Sequence, residues 1–408
     1  MWKKTPIKDL GLVITGKTPP TQKENLWNGD IPFITPGDLN YFSLRSAERK
    51  ISNEGLKFSK LFYKNTVLFS CIGYIGKTSL FLGELGCCNQ QINAIIPNED
   101  IVNPWFLLFA LKFYAPQFQN QASVTTVPIL NKSNFEKFDI PIPEITEQNS
   151  IAKILRTIHE AIEIRKKELN LQRELKEALM AHLFTNGTKN EPLKETEIGF
   201  VPQSWEVLEL KNFTKPIKQR DPKKNSNSYF TYVDVSSVSN ERFKIIDKNE
   251  LLGSEAPSRA RKVINKNDII FATVRPTLRR IALVPEELDD QICSTGFCVI
   301  KPDAEKLDFG FLYFYLLTPY VRNYVGSRQK GATYPAISDN VIANLKIPMA
   351  GLMEQKKIAN ILFAIHNKIE LIIQEISLIE EIFQAILEEL MSGKISTMPL
   401  IEDCVVTS

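Results

Sequence analysis

Basic and amide side chains are concentrated on a few short segments that also carry glycine and proline. Tyr74 and Lys77 lie among glycines in SCIGYIGKTS, and Asn89 and Gln90 follow shortly after. In the second half of the chain, arginines follow an apolar segment in TVRPTLRRIA (273–282). Lysine and arginine bind phosphate, arginine also pairs with guanine, and asparagine or glutamine pairs with adenine. These residue types therefore predict binding to a nucleic acid.

The predicted contact residues fall into two sets, one in each half of the chain. They are Lys17, Lys60, Tyr74, Lys77, Asn89 and Gln90 in the first half, and Arg220, Lys224, Arg275, Arg279, Arg328 and Thr333 in the second. For each residue taken alone, an ordinary solvated surface position remains an open alternative. The sets are more informative than their members, because they lie on corresponding segments of the two halves.

Residues 11–18, GLVITGKT, match the G-x-x-x-x-G-K-[ST] pattern of a phosphate-binding loop. Such a loop requires a helix directly after it, because the amides at the helix N-terminus bind the phosphate. Pro19 and Pro20 prevent a helix immediately after Thr18. Nucleotide binding is therefore not expected at this segment.

Two other patterns with catalytic associations are incomplete. Residues 103–106, NPWF, resemble the Asn-Pro-Pro-aromatic loop of adenine methyltransferases, but Trp105 replaces the second proline. The three histidines, His159, His182 and His366, fall on predicted helices, and no cluster of ligands has metal-site spacing. No catalytic residue, metal site or cofactor is expected in this chain.

The longest regular pattern in the chain is an apolar heptad over residues 354–390. Its two columns, spaced by seven, are Ile358, Ile365, Ile372, Ile379 and Ile386, and Leu362, Ile369, Ile376, Phe383 and Leu390. A sustained a/d heptad without proline or glycine predicts a helix roughly 55 Å long. Its apolar seam must be covered by a partner.

The partner is predicted within the same chain, at an offset of 207 residues. EQNSIAKIL (147–155) aligns with EQKKIANIL (354–362), with six of nine residues identical. The pairing residues of this earlier helix are Ile151, Leu155, Ile158, Ile162, Leu169, Leu179 and Leu183. Arg165, Gln172 and Lys176 interrupt its seam. Either this part of the seam is partly solvated, or these polar residues set the register of pairing.

The globular segments repeat with the helices. Strand-like Ile31–Pro36 and Thr66–Ile72 correspond to Tyr229–Val235 and Asp268–Val274, and WFLLFALKFY corresponds to FGFLYFYLLTPYV. We expect an α+β protein in which two similar mixed α/β domains are separated by two long helices. If these helices pair antiparallel in a coiled coil, pseudo-twofold symmetry is expected, whereas a parallel pairing would leave the two domains crowded at one end.

The predicted boundaries follow from this repeat. The expected segments are a first domain (1–146), a central helix (147–186), a linker and second domain (187–350), a C-terminal helix (351–395) and a tail (396–408). Thr146 is the expected N-cap of the central helix, and Gly187 is expected to end it.

The totals are consistent with a globular, multidomain chain. Of 408 residues, 43% are hydrophobic and 24% charged, and the formal net charge is +3. Both globular segments have a small excess of basic residues, whereas the last helix and tail are acidic. No membrane span or secretory signal is expected. Six cysteines without a C-x-x-C pair favour free thiols and a cytoplasmic location.

Taken in order, these features resemble the specificity subunit of type I restriction-modification systems along essentially the whole chain. The resemblance rests first on IPIPEITEQNSIAKIL (140–155), KIPMAGLMEQKKIANIL (346–362) and IGFVPQSWEV (198–207). GKTPP (16–20), TVLFSCIGYIGK (66–77), NQQINAI (89–95) and GATYPAIS (331–338) also fit. Each motif is loose, but their duplicated order is specific.

The resemblance implies a non-catalytic subunit of a bacterial defence system that acts through DNA methylation and restriction. Two target-recognition domains would each read one half of a bipartite double-stranded DNA sequence. The conserved helices would form an antiparallel coiled coil, act as a spacer and dock two methyltransferase subunits. Restriction subunits would join the full enzyme. S-adenosylmethionine, ATP and Mg²⁺ would belong to those partners.

One departure from the family pattern is the turn TVRPTLRRIA, where the first domain has the more usual glycine-containing turn. Its shape and DNA target are therefore expected to differ. Two alternatives remain open from the sequence. One is a self-contained DNA methyltransferase or nuclease, and the other is a coiled-coil scaffold whose domains bind ligands other than DNA.

Overall fold

The computed structural model describes residues 2–122 and 127–397. The chain divides into two compact units: unit 1 comprises Met1–Arg165 with Glu375–Ser408, and unit 2 comprises Lys166–Gln374. Cys404 and most of the predicted tail lie outside the described residues. None of the helices in the described part of the chain has the length and apolar character needed to cross a membrane.

Unit 1 contains short strands arranged in three sheets within its described residues. The strands are β1 (Lys3–Pro6), β2 (Gly11–Thr15), β3 (Trp27–Ile34), β4 (Ser43–Leu44), β5 (Lys50–Ile51), β6 (Leu61–Tyr63), β7 (Thr66–Ser70), β8 (Thr78–Phe81), β9 (Leu85–Cys88), β10 (Ile92–Pro97) and β11 (Asp139–Ile142). The sheets have the orders β2-β10-β7-β8-β4, β5-β3-β9-β6 and β1-β11. All five residues of β7 are buried, as suits an apolar strand covered on both faces.

The short helices of unit 1 are α1 (Pro104–Phe113), α2 (Ala115–Asn120) and α3 (Lys132–Glu136). The Asn103 side chain caps α1 by accepting hydrogen bonds from the amides of Trp105 (2.9 Å) and Phe106 (3.1 Å). Asn103 and Pro104 thus begin a helix rather than a catalytic loop. The buried face of α1 joins β7 and the long helices in one apolar core.

Unit 2 has the same kinds of elements in the same chain order after an additional hairpin. Its strands are β12 (Leu193–Thr196), β13 (Gly199–Pro202), β14 (Glu206–Glu209), β15 (Thr214–Lys215), β16 (Tyr229–Val233), β17 (Val238–Ser239), β18 (Lys244–Ile245), β19 (Asn249–Leu252), β20 (Ala260–Ile264), β21 (Ile269–Ala272), β22 (Ile281–Leu283), β23 (Gln291–Ser294), β24 (Phe297–Pro302) and β25 (Lys346–Met349). The orders are β15-β24-β21-β22, β19-β16-β23-β20, β14-β25, β12-β13 and β17-β18.

The long helices are α4 (Ile145–Asn186) and α8 (Leu352–Met391), and the short helices of unit 2 are α5 (Phe309–Leu316), α6 (Pro319–Gly326) and α7 (Asp339–Ala343). The prediction of Thr146 as an N-cap is wrong, since it is the second residue of α4. The Gln148 amide donates to the carbonyl of Glu144 (3.0 Å), so the helical hydrogen bonds already begin there. Gly187 (φ 63°) and Gly393 (φ 70°) follow the two helices in the left-handed conformation that ends a helix.

A buried glutamine anchors the start of each long helix. The Gln148 side chain accepts from the Asn103 amide (2.9 Å) and donates to the carbonyls of Ile101 and Pro143. The Gln355 side chain accepts from the Asp308 amide (2.8 Å) and donates to the carbonyls of Lys306 and Ala350. Each glutamine therefore fixes a long helix to the N-terminus of a short one.

The long helices pack antiparallel in each unit. In unit 1, Glu147 contacts Ser396, and Arg165 pairs with Glu375 (3.3 Å). In unit 2, Glu168 pairs with Lys368 (3.4 Å), and Thr188 donates to Glu354 (2.9 Å). In these pairs, a higher residue number on α4 or just after it goes with a lower residue number on α8 or just after it. The two helices therefore run in opposite directions. None of the predicted pairing residues on either helix is exposed.

The polar seam residues lie in different surroundings. Arg165 is half-buried and paired with Glu375, and Gln172 is half-buried. Lys176 is only 9% exposed, and its Nζ lies 3.1 Å from the Nδ1 of His366. A solvated seam is therefore excluded at Lys176.

Candidate nucleic-acid interface

Four of the predicted contacts in unit 1 come together where the end of β2 meets the turn after β9. The Lys17 amide donates to the Cys88 carbonyl (2.9 Å), and Thr18 Oγ1 donates to Gln90 Oε1 (2.6 Å). Ser59 Oγ donates to the Lys17 carbonyl (3.3 Å), which brings Lys60 to the same place. The Asn89 side chain closes its own turn through Gln91. Lys17, Lys60 and Gln90 are exposed, so basic and amide groups face solvent together.

The other two predicted contacts lie on the adjacent turn after β7. The Cys71 amide donates to the Gln91 carbonyl (2.7 Å), which joins the two turns. Gly73 and Gly76 have φ values of 76° and 100°, conformations that favour glycine. Tyr74 is 79% exposed at the tip, 5.6 Å from the Lys77 ammonium. Lys77 is half-buried and donates to Asn40 Oδ1 (3.0 Å). We call these six predicted residues surface 1.

In unit 2, the turn after β21 meets the loop at residues 330–336. The Arg275 amide donates to the Pro335 carbonyl (2.7 Å), and its guanidinium lies 5.3 Å from the ring centre of Tyr334. Thr333 and Tyr334 are exposed at the tip of that loop, Tyr334 at 70%. Arg275 itself is exposed and adopts φ 47°. We call Arg275, Thr333 and Tyr334 surface 2.

Arg328, Arg220 and Lys224 lie on neighbouring segments of unit 2. Arg328 is exposed, and its guanidinium stacks 3.8 Å from the ring centre of Tyr324. The Arg220 side chain pairs with Asp290, and its amide donates to Arg261 (2.9 Å). Lys224 is exposed. Lys224 and Arg328 add exposed basic groups, whereas Arg220 already has a carboxylate partner within the unit.

Arg279 is placed differently from the other predicted contacts. Its guanidinium donates to the Leu317 carbonyl and lies 4.8 Å from the ring centre of Phe243. Burial, followed by the charge of Arg322, lowers the pKa of Arg279. Its contact with DNA stays a prediction. Within unit 2, the guanidinium is already bound to the Leu317 carbonyl and packed beside Phe243.

Other basic residues in the same clusters also have internal roles. The Arg280 guanidinium donates to the carbonyls of Val235, Ser236 and Val238, and so closes the loop before β17. Lys262 is buried and donates to Asp339 Oδ2 (2.6 Å). A cluster of basic residues in the sequence therefore contains both exposed side chains and side chains that stabilise the fold.

The sequence analysis did not select Tyr334, although this residue lies in the motif GATYPAIS (331–338). An exposed tyrosine between glycine and proline could have signalled a stacking residue. Tyr41, Tyr63 and Tyr229 are also exposed aromatic residues that were not singled out. Aromatic rings beside cations suit base stacking and phosphate binding at one surface.

Neither surface has the features of a catalytic or metal centre in the described residues. No group of three or more histidine, cysteine and carboxylate side chains there is placed to hold a metal ion. The five described cysteines are buried free thiols. Burial raises the pKa of Cys71 and Cys87 to about 12, so neither is a thiolate at neutral pH. The surfaces can bind and discriminate a ligand through charge, amides and aromatic rings.

Two mixed α/β units whose exposed turns carry basic, amide and aromatic side chains have the residue types that a nucleic-acid-binding protein uses. The family model for the type I restriction modification DNA specificity domain matches residues 1–173 and again residues 202–381. The chain belongs to this family.

Named relatives agree with this assignment. The type I restriction enzyme MjaVIII specificity subunit of Methanocaldococcus jannaschii is 27% identical, with 97% of this chain and 93% of that protein covered. The MjaIX specificity subunit of the same organism is also 27% identical, with the same coverage of both chains. The crystal structure of the type I restriction-modification S subunit from M. genitalium has a TM-score of 0.62, covers 96% of each chain and is 17% identical. This last likeness concerns the fold.

Proposed function

We propose that this chain is the non-catalytic subunit that recognises a bipartite double-stranded DNA target for a type I restriction-modification enzyme. Each recognition domain reads one half-site. The observation that carries this proposal is a pair of corresponding turns that each expose a side chain at the tip, Tyr74 in unit 1 and Arg275 in unit 2. These turns follow β7 in unit 1 and β21 in unit 2, the strands that stand third in the matching orders β2-β10-β7-β8 and β15-β24-β21-β22. Phosphate contacts supply affinity, and the side chains at the tips supply specificity.

The proposed interface comprises surface 1 in the first domain, and surface 2 with Arg220, Lys224 and Arg328 in the second. The two surfaces differ in their tip residues. Surface 1 presents Tyr74 from a glycine-flanked turn, whereas surface 2 presents Arg275 from the turn and Tyr334 from the opposing loop. The two half-sites are therefore expected to have different sequences.

We also propose that α4 and α8 form an internally repeated antiparallel coiled coil between the two recognition domains. The matched hydrogen bonds of Gln148 and Gln355 support the repeat, because these residues are separated by the same offset of 207. In this proposal the helices act as the spacer between the half-sites. The site of action is the cytoplasm.

The family implies assembly with DNA and with other restriction-modification subunits. We propose docking of two methyltransferase subunits on the long helices, with restriction subunits joining the complex. The two helices expose apolar side chains at three equivalent pairs of positions: Ile164, Leu171 and Leu175 on α4, and Leu371, Leu378 and Ile382 on α8. Every pair differs by 207 residues, which supports two equivalent docking sites. S-adenosylmethionine, ATP and Mg²⁺ are assigned to the partner subunits.

The proposal is tested by DNA binding of the full chain assembled with its methyltransferase subunit. Affinity for a target duplex should fall steeply as salt rises from about 50 to 200 mM, because phosphate contacts release counterions. A scrambled duplex of the same length is the control for sequence recognition. A flat salt response would favour a scaffold that binds other ligands.

The remaining enzyme alternative has its own test. The purified chain is incubated alone with target DNA and either S-adenosylmethionine or Mg²⁺. We expect neither methylation nor cleavage, with the assembled enzyme as positive control. Activity of the chain alone would contradict the non-catalytic assignment.

A further inference from the structure

Unit 2 contains a cavity of about 520 Å³ that neither recognition surface includes. Its walls are the second half of α4, the facing part of α8, strand β13, the loop at residues 241–243 and the segment from residue 315 to 322. This volume lies within the range of pockets that bind small molecules.

The cavity combines an apolar body with a cationic side. Met180, Phe184, Phe243 and Ile369 contribute apolar surface. Five basic side chains line it, namely Arg173, Lys176, Arg242, Arg279 and Arg322, against three acidic ones, Glu177, Glu241 and Glu370. The lining therefore has an excess of positive charge.

Much of the acidic charge is already committed. Glu370 accepts hydrogen bonds from Arg242 Nε (3.2 Å) and Lys244 Nζ (3.3 Å), so it is neutralised by its own partners. Glu177 offsets part of the charge on Lys176 and Arg279, and Glu370 also acts on Lys176. Because five basic side chains stand against three acidic ones, the lining keeps an excess of positive charge.

Arg279 also has an unused hydrogen-bond donor. Its Nε is buried and has no acceptor among the described residues. Arg322 lies close enough for its charge to lower the pKa of Arg279, after the larger effect of burial. Two guanidinium groups at one wall, one with an unpaired buried donor, suit an anion.

The equivalent region of unit 1 contains aromatic rings instead. Phe383 stands at the position equivalent to Lys176, and His159 at the position equivalent to His366. The ring centres of His159 and Phe42 are 4.0 Å apart, and those of Phe42 and Phe383 are 5.6 Å apart. Unit 2 thus buries the Lys176 cation where unit 1 has the Phe383 ring. A buried cation lowers stability, and a bound anion would offset that loss.

We propose that the unit 2 cavity binds a small organic anion with an apolar body, whose anionic group lies at Arg279 and Arg322. The apolar body packs on Met180, Phe184 and Ile369. Lys176 contributes a further positive charge at the helix seam. This site does not depend on the proposed DNA interface.

The test uses the full chain and two matched fluorescent probes. The anion 8-anilinonaphthalene-1-sulfonate has the required charge and rings, and N-phenyl-1-naphthylamine is its uncharged counterpart. The sulfonate should bind to the wild-type protein at one site and more tightly than the neutral probe. Equal affinity for the two probes would overturn the proposal without any variant.

Three variants locate the site. Arg279→Gln and Arg322→Gln should each weaken sulfonate binding about tenfold by removing a charged contact. Ile373 also lines the cavity, and Ile373→Trp should abolish binding by filling it. Lys306→Gln, which removes an exposed charge from the same unit outside the cavity, should leave binding unchanged. Circular dichroism confirms that each variant is folded. Unchanged sulfonate affinity in folded Arg279→Gln and Ile373→Trp would contradict the assignment.

Competition in the wild-type protein then distinguishes the anionic group. Displacement of the probe by AMP but not by adenosine assigns a phosphate, and displacement by octanoate but not by octanol assigns a carboxylate. Either result supports the proposal. Equal displacement by the charged and neutral members of both pairs would overturn it.

Discussion

Basic residues at and near the two surfaces differ in whether their side chains are available to bind a ligand. Arg275 is exposed and stacks beside Tyr334, whereas Arg280, five residues later, donates to three carbonyls of its own unit. The first arrangement leaves a guanidinium available for a base or phosphate, and the second does not. Predictions about DNA contacts therefore concentrate on the exposed tips.

Arg275→Ala should weaken binding of the assembled complex to target DNA by about 1–3 kcal/mol. Electrophoretic mobility shift or anisotropy measurements at several salt concentrations check this value. Lost discrimination at one base pair would indicate base reading, and a uniform loss with a smaller salt slope would indicate a phosphate contact. Lys306→Ala is the matched control, and an Arg275→Ala complex with unchanged affinity and specificity would remove Arg275 from the interface.

Tyr334→Ala should also weaken DNA binding, by about 1–3 kcal/mol if the exposed ring stacks on a base. Tyr334→Phe keeps the ring and should therefore retain most of the affinity. The same binding measurement compares the two variants. Equal losses in both would assign the effect to the hydroxyl group and contradict stacking.

Lys176 should make stability depend on pH. Burial lowers its pKa to about 8, from an ordinary value of 10.5. The unfolded chain therefore holds more protons than the folded chain between these pH values, and stability should rise with pH across this window. Lys176→Met should remove that rise and increase the free energy of unfolding at pH 7 by roughly 1–3 kcal/mol.

Urea unfolding at a series of pH values measures this effect. Lys153→Gln, an exposed lysine on α4, provides the control and should change the unfolding free energy by less than about 0.5 kcal/mol. A Lys176→Met protein that keeps the wild-type slope between pH 8 and 10.5 would show that another group titrates there.

At the scale of elements, the long helices combine a buried seam with an exposed apolar face. The seam residues, such as Leu155 and Leu362, are fully buried, which accounts for helix pairing. The exposed side chains, such as Ile164 at 63%, are left uncovered by the chain itself. Apolar groups left in water on an otherwise covered helix indicate a protein partner.

Replacing Leu171, Leu175 and Leu371 with glutamine should remove one methyltransferase docking site and leave the other. The complex should then contain one methyltransferase subunit per chain instead of two, as measured by native mass spectrometry. The triple variant of Ile164, Leu378 and Ile382 should have the same effect. Full occupancy in both variants would show that docking uses another surface.

At the scale of the whole molecule, two units with separate cores carry surfaces 1 and 2, which differ in their exposed side chains. The core of each unit contains its own strands, its own short helices and parts of both long helices. Such a unit can change its loops without disturbing the core of the other. Modular recognition is the expected consequence.

Exchanging residues 1–146 with those of a diverged family member should change one half of the recognised DNA sequence and retain the other. Methylome sequencing of a host that carries the chimeric chain, beside one that carries the wild-type chain, reads both halves directly. A change in both halves, or in neither, would contradict one half-site per domain.

The sequence by itself determined the long helices, the offset of 207 and the repeated order of strands and turns. These features are local or periodic: a heptad, or a helix-ending glycine such as Gly187, acts within a few residues. Two helix boundaries differ from the prediction. The carbonyl of Glu144 already accepts the first hydrogen bond of α4, and α8 ends at Met391 rather than at residue 395.

The tertiary structure decided which chemically similar side chains face solvent. Arg279, Arg280 and Lys262 are held by Leu317, Val235 and Asp339, partners that lie tens of residues away in the chain. It likewise placed Tyr334 beside Arg275 and enclosed Lys176 with His366 at the cavity of unit 2. Sequence patterns record residue types and spacing, but burial and pairing depend on contacts between distant segments.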